Sequence, residues 1–170
     1  MTDQKFWWRD EARWQELHNS PGFYQKSIEE QLEMEEECYT PEFKAMIKEN
    51  DEIMAQIKAG NCSDVELISF LNKHNRFIFS NALIVLLRRR NKSSELAQAL
   101  VEQFSTTGDW TIYASEIGIR HFAAAALFLI DTEESRSIYN ALFTQVDNKE
   151  KNRIQDAIII LKDSVENPMP

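Results

Sequence analysis

Asn81-Ala82-Leu83-Ile84-Val85-Leu86-Leu87, Ala124-Ala125-Ala126-Leu127-Phe128-Leu129-Ile130 and Asp156-Ala157-Ile158-Ile159-Ile160-Leu161-Lys162 are three stretches of one kind, each with an alanine followed four residues later by a leucine. A side chain that recurs every four residues stays on one face of a helix, and a small residue there lets a neighbouring helix approach closely. The three stretches are apolar nearly all round, which predicts helices covered on two sides. The segments before them differ. Leu96-Ala97-Leu100-Val101-Phe104 and Ile138-Tyr139-Leu142-Phe143-Val146 are amphipathic, the pattern of outer-layer helices.

Working outward from these stretches, residues 63 to 166 divide into three helix pairs, 64–73 with 76–90, 94–105 with 110–130, and 133–146 with 149–165. In the middle pair Gly118 breaks the second member, giving a short helix over 110–117 before the apolar one. Ser63-Asp64-Val65-Glu66 is a capping box, and Asp147-Asn148-Lys149-Glu150 repeats its spacing with aspartate in the hydroxyl's place. Arranged so, the pairs resemble HEAT-like helical repeats. That resemblance implies antiparallel hairpins stacked as a short solenoid, with an irregular helical bundle as the alternative. The steps from Ala82 to Ala125 and from Ala125 to Ala157 are unequal, so the repeats are irregular.

Three more helices are predicted before this region. The first spans Asp3 to Asn19, with Phe6, Trp7, Trp14 and Leu17 as its apolar members, and ends at Asn19-Ser20-Pro21-Gly22. A second runs from Phe23 to Cys38. At about 100° per residue, Tyr24, Ile28, Leu32 and Tyr39 form an apolar stripe, with Glu29, Glu30, Glu33 and Glu37 opposite and Glu35 projecting into the stripe. Thr40-Pro41-Glu42 opens the third helix, whose buried face is Phe43, Met46, Ile47, Ile53 and Ile57. Gly60 suits the left-handed position after its end. The expectation is one all-α domain over 1–170, with acidic helices over 1–62 and helix pairs over 63–166. Four glycines and four prolines in 170 residues are too few for a turn-rich β architecture.

Composition also narrows the setting. Cys38 and Cys62 form neither a disulfide framework nor a zinc motif. Residues 1 to 13 mix Asp3, Lys5, Arg9, Asp10 and Glu11 with aromatics, unlike a signal peptide, and the longest apolar stretch, 122–130, is about half of a membrane span. A cytoplasmic protein without a membrane partner is expected. The net charge of −9 is concentrated in the N-terminal third. Such a field repels nucleic-acid phosphates and attracts basic proteins, so the expected partner is a basic protein and not nucleic acid.

No catalytic set emerges. Neither cysteine has a neighbouring histidine, no G-x-S-x-G occurs, and the four glycines stand apart, so no phosphate-cradling loop forms. The residues three before His18, His74 and His121 are Gln15, Leu71 and Gly118, which excludes the E-x-x-H pairs of a di-iron bundle. Glu33-x-x-Glu36 followed by Glu49-x-x-Glu52 resembles the paired E-x-x-E and E-x-x-D helices with which all-α nucleotide pyrophosphohydrolases hold magnesium. It departs from them in Glu52, which stands where aspartate belongs, and in carboxylates that point outward on the wheel. Arg88-Arg89-Arg90 with Lys92 is the one basic cluster, and its place at a helix C-terminus fits compensation of the dipole. His121, just after Gly118, reads as a cap or core histidine.

No enzyme and no cofactor is therefore expected. An acidic, all-helical chain with carboxylates displayed on one helix resembles bacterial toxin-immunity proteins, which implies an inhibitor that neutralises a basic toxin such as a nuclease. The partner-binding residues on this reading are Glu29, Glu30, Glu33 and Glu37, with Trp8 as a hydrophobic anchor. A helical adaptor that holds a peptide or subunit is the alternative, and a magnesium-dependent nucleotide hydrolase the remote one.

Overall fold

The computed structural model describes residues 7–73, 75–105 and 116–167. The expected helix segment 3–6, His74, and residues 110–115 of the expected short helix lie outside the described residues, Trp110 among them. Within them the chain is all-α, with nine α-helices, one 3₁₀ turn at Phe23–Gln25 and no strand. In chain order the helices are α1 (Glu11–Asn19), α2 (Ile28–Glu36), α3 (Pro41–Ala59), α4 (Asp64–Phe70), α5 (Arg76–Arg88), α6 (Ser94–Ser105), α7 (Ile119–Ile130), α8 (Glu133–Gln145) and α9 (Asn148–Glu166). None of the described helices is long and apolar enough to cross a membrane.

Helix starts are set by side chains that take up otherwise orphaned amides. Asp10, Thr40, Asn75, Ser93 and Asp147 each accept a backbone N–H from the first turn of the helix that follows. Ser27 with Glu30, and Ser63 with Glu66, form complete capping boxes. Gly60 closes α3 in the left-handed region at φ +74°, as its position predicts.

Two expected boundaries move. Trp7 to Asp10 precede α1 and are not helical. Their backbone pairs with the segment after α2, the Asp10 amide donating to the Cys38 carbonyl at 2.8 Å and the Thr40 amide to the Trp8 carbonyl at 3.1 Å. Asp10 is the cap that starts the helix. The segment expected as one helix over 23–38 is divided, because Ser27 caps a new start and the chain before it makes only the 3₁₀ turn.

Contacts divide the chain into two compact units, Met1–Glu52 and Ile53–Pro170, and the boundary falls inside α3. The second unit holds the main core. Its centre is α7, which packs against α5, α6, α8 and α9, while α5 also meets α9, contacts compatible with a helical bundle. All of Phe122 to Leu127 is buried, and the alanines Ala123 to Ala126 let the neighbours close in. Ile78, Phe79, Ala82, Leu83 and Leu86 of α5 join them. The third apolar stretch differs from the expectation of all-round cover. In α9 only Ile154, Ala157 and Leu161 are buried, and Ile159 is exposed. Among the described residues α9 packs against α5 and α7, and its opposite face stays exposed.

Candidate protein interface

The first unit is assembled around an aromatic cluster. The guanidinium of Arg9 lies between Trp8 and Trp14, 4.6 and 4.3 Å from the ring centres, and Glu11 holds it at 2.9 Å. Flat, weakly hydrated guanidinium stacks readily on indole, so this cation joins the aromatic packing. Trp8 also meets Tyr39 and Phe43 edge-on or tilted. His18 is stacked on Trp14 at 4.4 Å and tilted against Phe23 at 4.6 Å. The Tyr24 hydroxyl stands 2.9 Å from its Nδ1, and Glu35 Oε1 stands 3.1 Å from its Nε2, out of line for a hydrogen bond.

Glu35 thereby finds its reason. It belongs to the inner face of α2, with Gln31 and Met34, and Cys38 follows on the same side. The apolar stripe read from sequence does not line that face. Tyr24 is 69 % exposed, Ile28 76 % and Leu32 52 %. The reason is local: polar anchoring of α2 through Glu35 beside His18, and Cys38 backbone pairing with Asp10, turn the helix so that Ile28 and Leu32 face outward. Tyr39 alone of the four packs inward.

The sequence-predicted residues fall as follows. Glu29, Glu30, Glu33 and Glu37 are exposed. Glu30 returns its carboxylate to the Ser27 amide at 2.9 Å, and that hydrogen bond holds its carboxyl below the usual value. Glu37 pairs with Arg13 at 2.6 Å. Trp8 is half-buried in the cluster, while its neighbour Trp7 is 61 % exposed and touches Phe43 edge-on. Glu33, Glu36, Glu49 and Glu52 are all exposed, and among the described residues no group of three or more histidine, cysteine, aspartate or glutamate side chains is placed to hold a metal ion. The first unit carries 14 acidic and 6 basic side chains, a balance of −8.

In the second unit the basic cluster is drawn into helix ends other than its own. Arg88 donates to the Ser164 and Val165 carbonyls at the end of α9, at 2.5 and 3.3 Å. Arg89 donates to the Cys62 carbonyl at 2.8 Å and to Asp64 at 2.9 Å. Hydrogen bonds from Arg89 and Asn91 hold the Asp64 carboxyl below its ordinary value. Arg90, left-handed at φ +56°, lines a cavity of about 330 Å³ with Lys92, Leu87, Leu129 and Ile130. A second cavity of about 170 Å³ shares Leu87 and Leu129 and adds Lys162 and Val165. The C-terminal ends of α5, α7 and α9 thus border one groove.

At the opposite ends of α7 and α9 lies a charged network. Buried His121 accepts the Gly118 amide hydrogen at Nδ1, 2.8 Å, so its Nε2 carries the proton and donates to Glu150 at 3.0 Å. Cap and core roles coincide in this histidine. Glu150 also receives Arg153 at 2.6 Å, and Arg153 with Lys149 reaches Glu116. The expected return of Glu150 to the Asp147 amide is not made, because His121 and Arg153 take the carboxylate. No known protein family, curated protein or solved structure matches the chain.

Proposed function

We propose that the chain is a protein-binding inhibitor, an immunity protein that neutralises a basic toxin such as a nuclease by direct contact. The observation that carries this reading is the outer face of α2, where Glu29, Glu33 and Glu36 stand exposed beside exposed Ile28 and Leu32. Carboxylates in such an array steer a basic partner to the surface, and apolar side chains beside them supply adhesion that charge alone does not. Nuclease grooves are basic because their substrate is anionic, so an acidic surface can occupy them. In this reading the protein works in the cytoplasm, needs no cofactor, and does not bind nucleic acid.

The test is affinity capture from source cells at low and high salt, followed by an activity assay of the captured protein. One basic partner, held in equal amounts and silenced on binding, with association slowed steeply by salt, is the expected result. A neutral partner held equally well at both salt concentrations overturns it. That second outcome favours a helical adaptor, the reading supported by the groove of Leu87, Leu129 and Val165 between the ends of α5, α7 and α9.

A further inference from the structure

We propose that α2 receives a basic amphipathic helix from its partner, an inference that rests on the reading of a basic protein partner given above. It follows from how the exposed side chains of α2 are ordered around the helix. Gln31, Met34 and Glu35 face inward. Going round the remaining arc at about 100° per residue, the order is Ile28, Leu32, Glu36, Glu29, Glu33, Glu30. Apolar and acidic residues are therefore separated into two adjoining seams. Ile28 and Leu32 are four apart, one above the other, and Glu29 and Glu33 repeat that spacing on the acidic seam.

Such an order selects its occupant. A seam of aliphatic side chains at a spacing of four matches the ridge of a second helix, whose own apolar residues recur every three to four positions. An extended strand repeats every two residues and cannot keep register with it. The acidic seam beside it asks for lysine or arginine on the flank of the incoming helix. α2 holds five glutamates and no basic residue, so no cation of its own competes for them. The length is modest: nine residues at 1.5 Å rise give about 13 Å, room for two to three turns of the partner. Exposed aliphatic side chains in this number on one short helix are unfavourable in isolation, and a helix laid across them removes that cost.

The experiment uses the full chain and a fluorescein-labelled lysine–leucine peptide whose leucines recur every three to four residues. Its control is a scrambled peptide of identical composition, and binding is read by anisotropy at low salt. The amphipathic peptide is expected to bind at least about tenfold tighter than the scramble. The double variant Ile28→Gln, Leu32→Gln is expected to erase that preference while leaving the weak charge-driven binding of both peptides. Both positions are solvent-exposed, so circular dichroism of this variant should match the parent. Glu29→Gln with Glu33→Gln should weaken both peptides together. If the scramble binds as tightly as the amphipathic peptide, or the double variant keeps the preference, the seam is not the contact and this inference fails, although a basic partner still stands. If neither peptide binds at low salt, the reading of a basic partner fails with it.

Discussion

Replacing Glu150 by alanine tests the network that joins α7 to α9. The carboxylate accepts from Nε2 of His121 and from Arg153, and both its own side chain and that of Arg153 are about four-fifths covered. His121 is 4 % exposed, so in the folded protein its ring N–H relies on this acceptor. Losing a hydrogen bond to a charged group costs about 1.5–3 kcal/mol, and a buried donor left without a partner adds a comparable penalty. Partial relaxation at the helix starts offsets some of this, leaving about 3 kcal/mol. For a unit of this size that lowers Tm by about 10 °C. The assay is thermal and urea unfolding followed at 222 nm, with Glu150→Gln beside it. Glutamine keeps a carbonyl oxygen for His121 but loses the charge that holds Arg153, so its cost should be about 1 kcal/mol. Lys149→Ala, at an exposed ion pair with Glu116, should change stability by less than about 0.5 kcal/mol. A Glu150→Ala protein as stable as the parent would refute the argument, for it would mean that His121 is not held by this carboxylate.

Asp64 titrates below its ordinary value because Arg89 and Asn91 donate to it, so the stability it contributes is present above that ordinary value and is lost as pH falls through the depressed one. Asp64→Asn should therefore be less stable than the parent at pH 7, by about 0.5 kcal/mol given the part-exposed pair, and the gap should close in urea titrations as pH falls through the depressed value. Cys38 and Cys62 are buried, and burial pushes both thiols up, so a disulfide reagent at pH 8 should modify them on the order of 100-fold more slowly in the native protein than in urea. Equal rates in the two states would show that these positions are open. Ala125→Leu should cost about 1–3 kcal/mol by overpacking the fully buried face of α7, measured by urea unfolding, whereas Ile159→Ser on exposed α9 should stay within about 0.5 kcal/mol.

Where the fold could be read from sequence, the signal was local and redundant. The start of α4 is written in Ser63 and Glu66, and the end of α3 in Gly60, because a cap or a left-handed turn needs only neighbours in the chain. The alanines of α5 and α7 announced helices with close neighbours on more than one side. α9 carries the same alanine and leucine spacing, yet only the face toward α5 and α7 is covered, and which helices pack against it is set by tertiary contacts that no pattern within α9 encodes. Glu150 had capping-box spacing, and its actual partners, His121 and Arg153, include one that lies 29 positions away. Ser27 and Glu30 also had that spacing, and the break they impose at residue 27 was in reach of the same reasoning.

The orientation of α2 was the part that a helical wheel inverted, and its cause is energetic. A wheel sends the most apolar side chains inward because burial rewards them, by about 1.5–3 kcal/mol for a fully buried isoleucine or leucine. Here the side turned inward carries Gln31, Met34 and Glu35, with Glu35 beside His18 and Cys38 paired through its backbone with Asp10, and Ile28 and Leu32 are left outward. Sequences whose local preferences and fold agree are the rule, and departures concentrate at sites where another requirement acts. Two aliphatic side chains held in water beside Glu29, Glu33 and Glu36 are such a departure. Folding of the chain alone offers no return for it, whereas docking of a helix on that seam does, which is why the exposed stripe of α2 weighs more in the functional argument than the carboxylates by themselves.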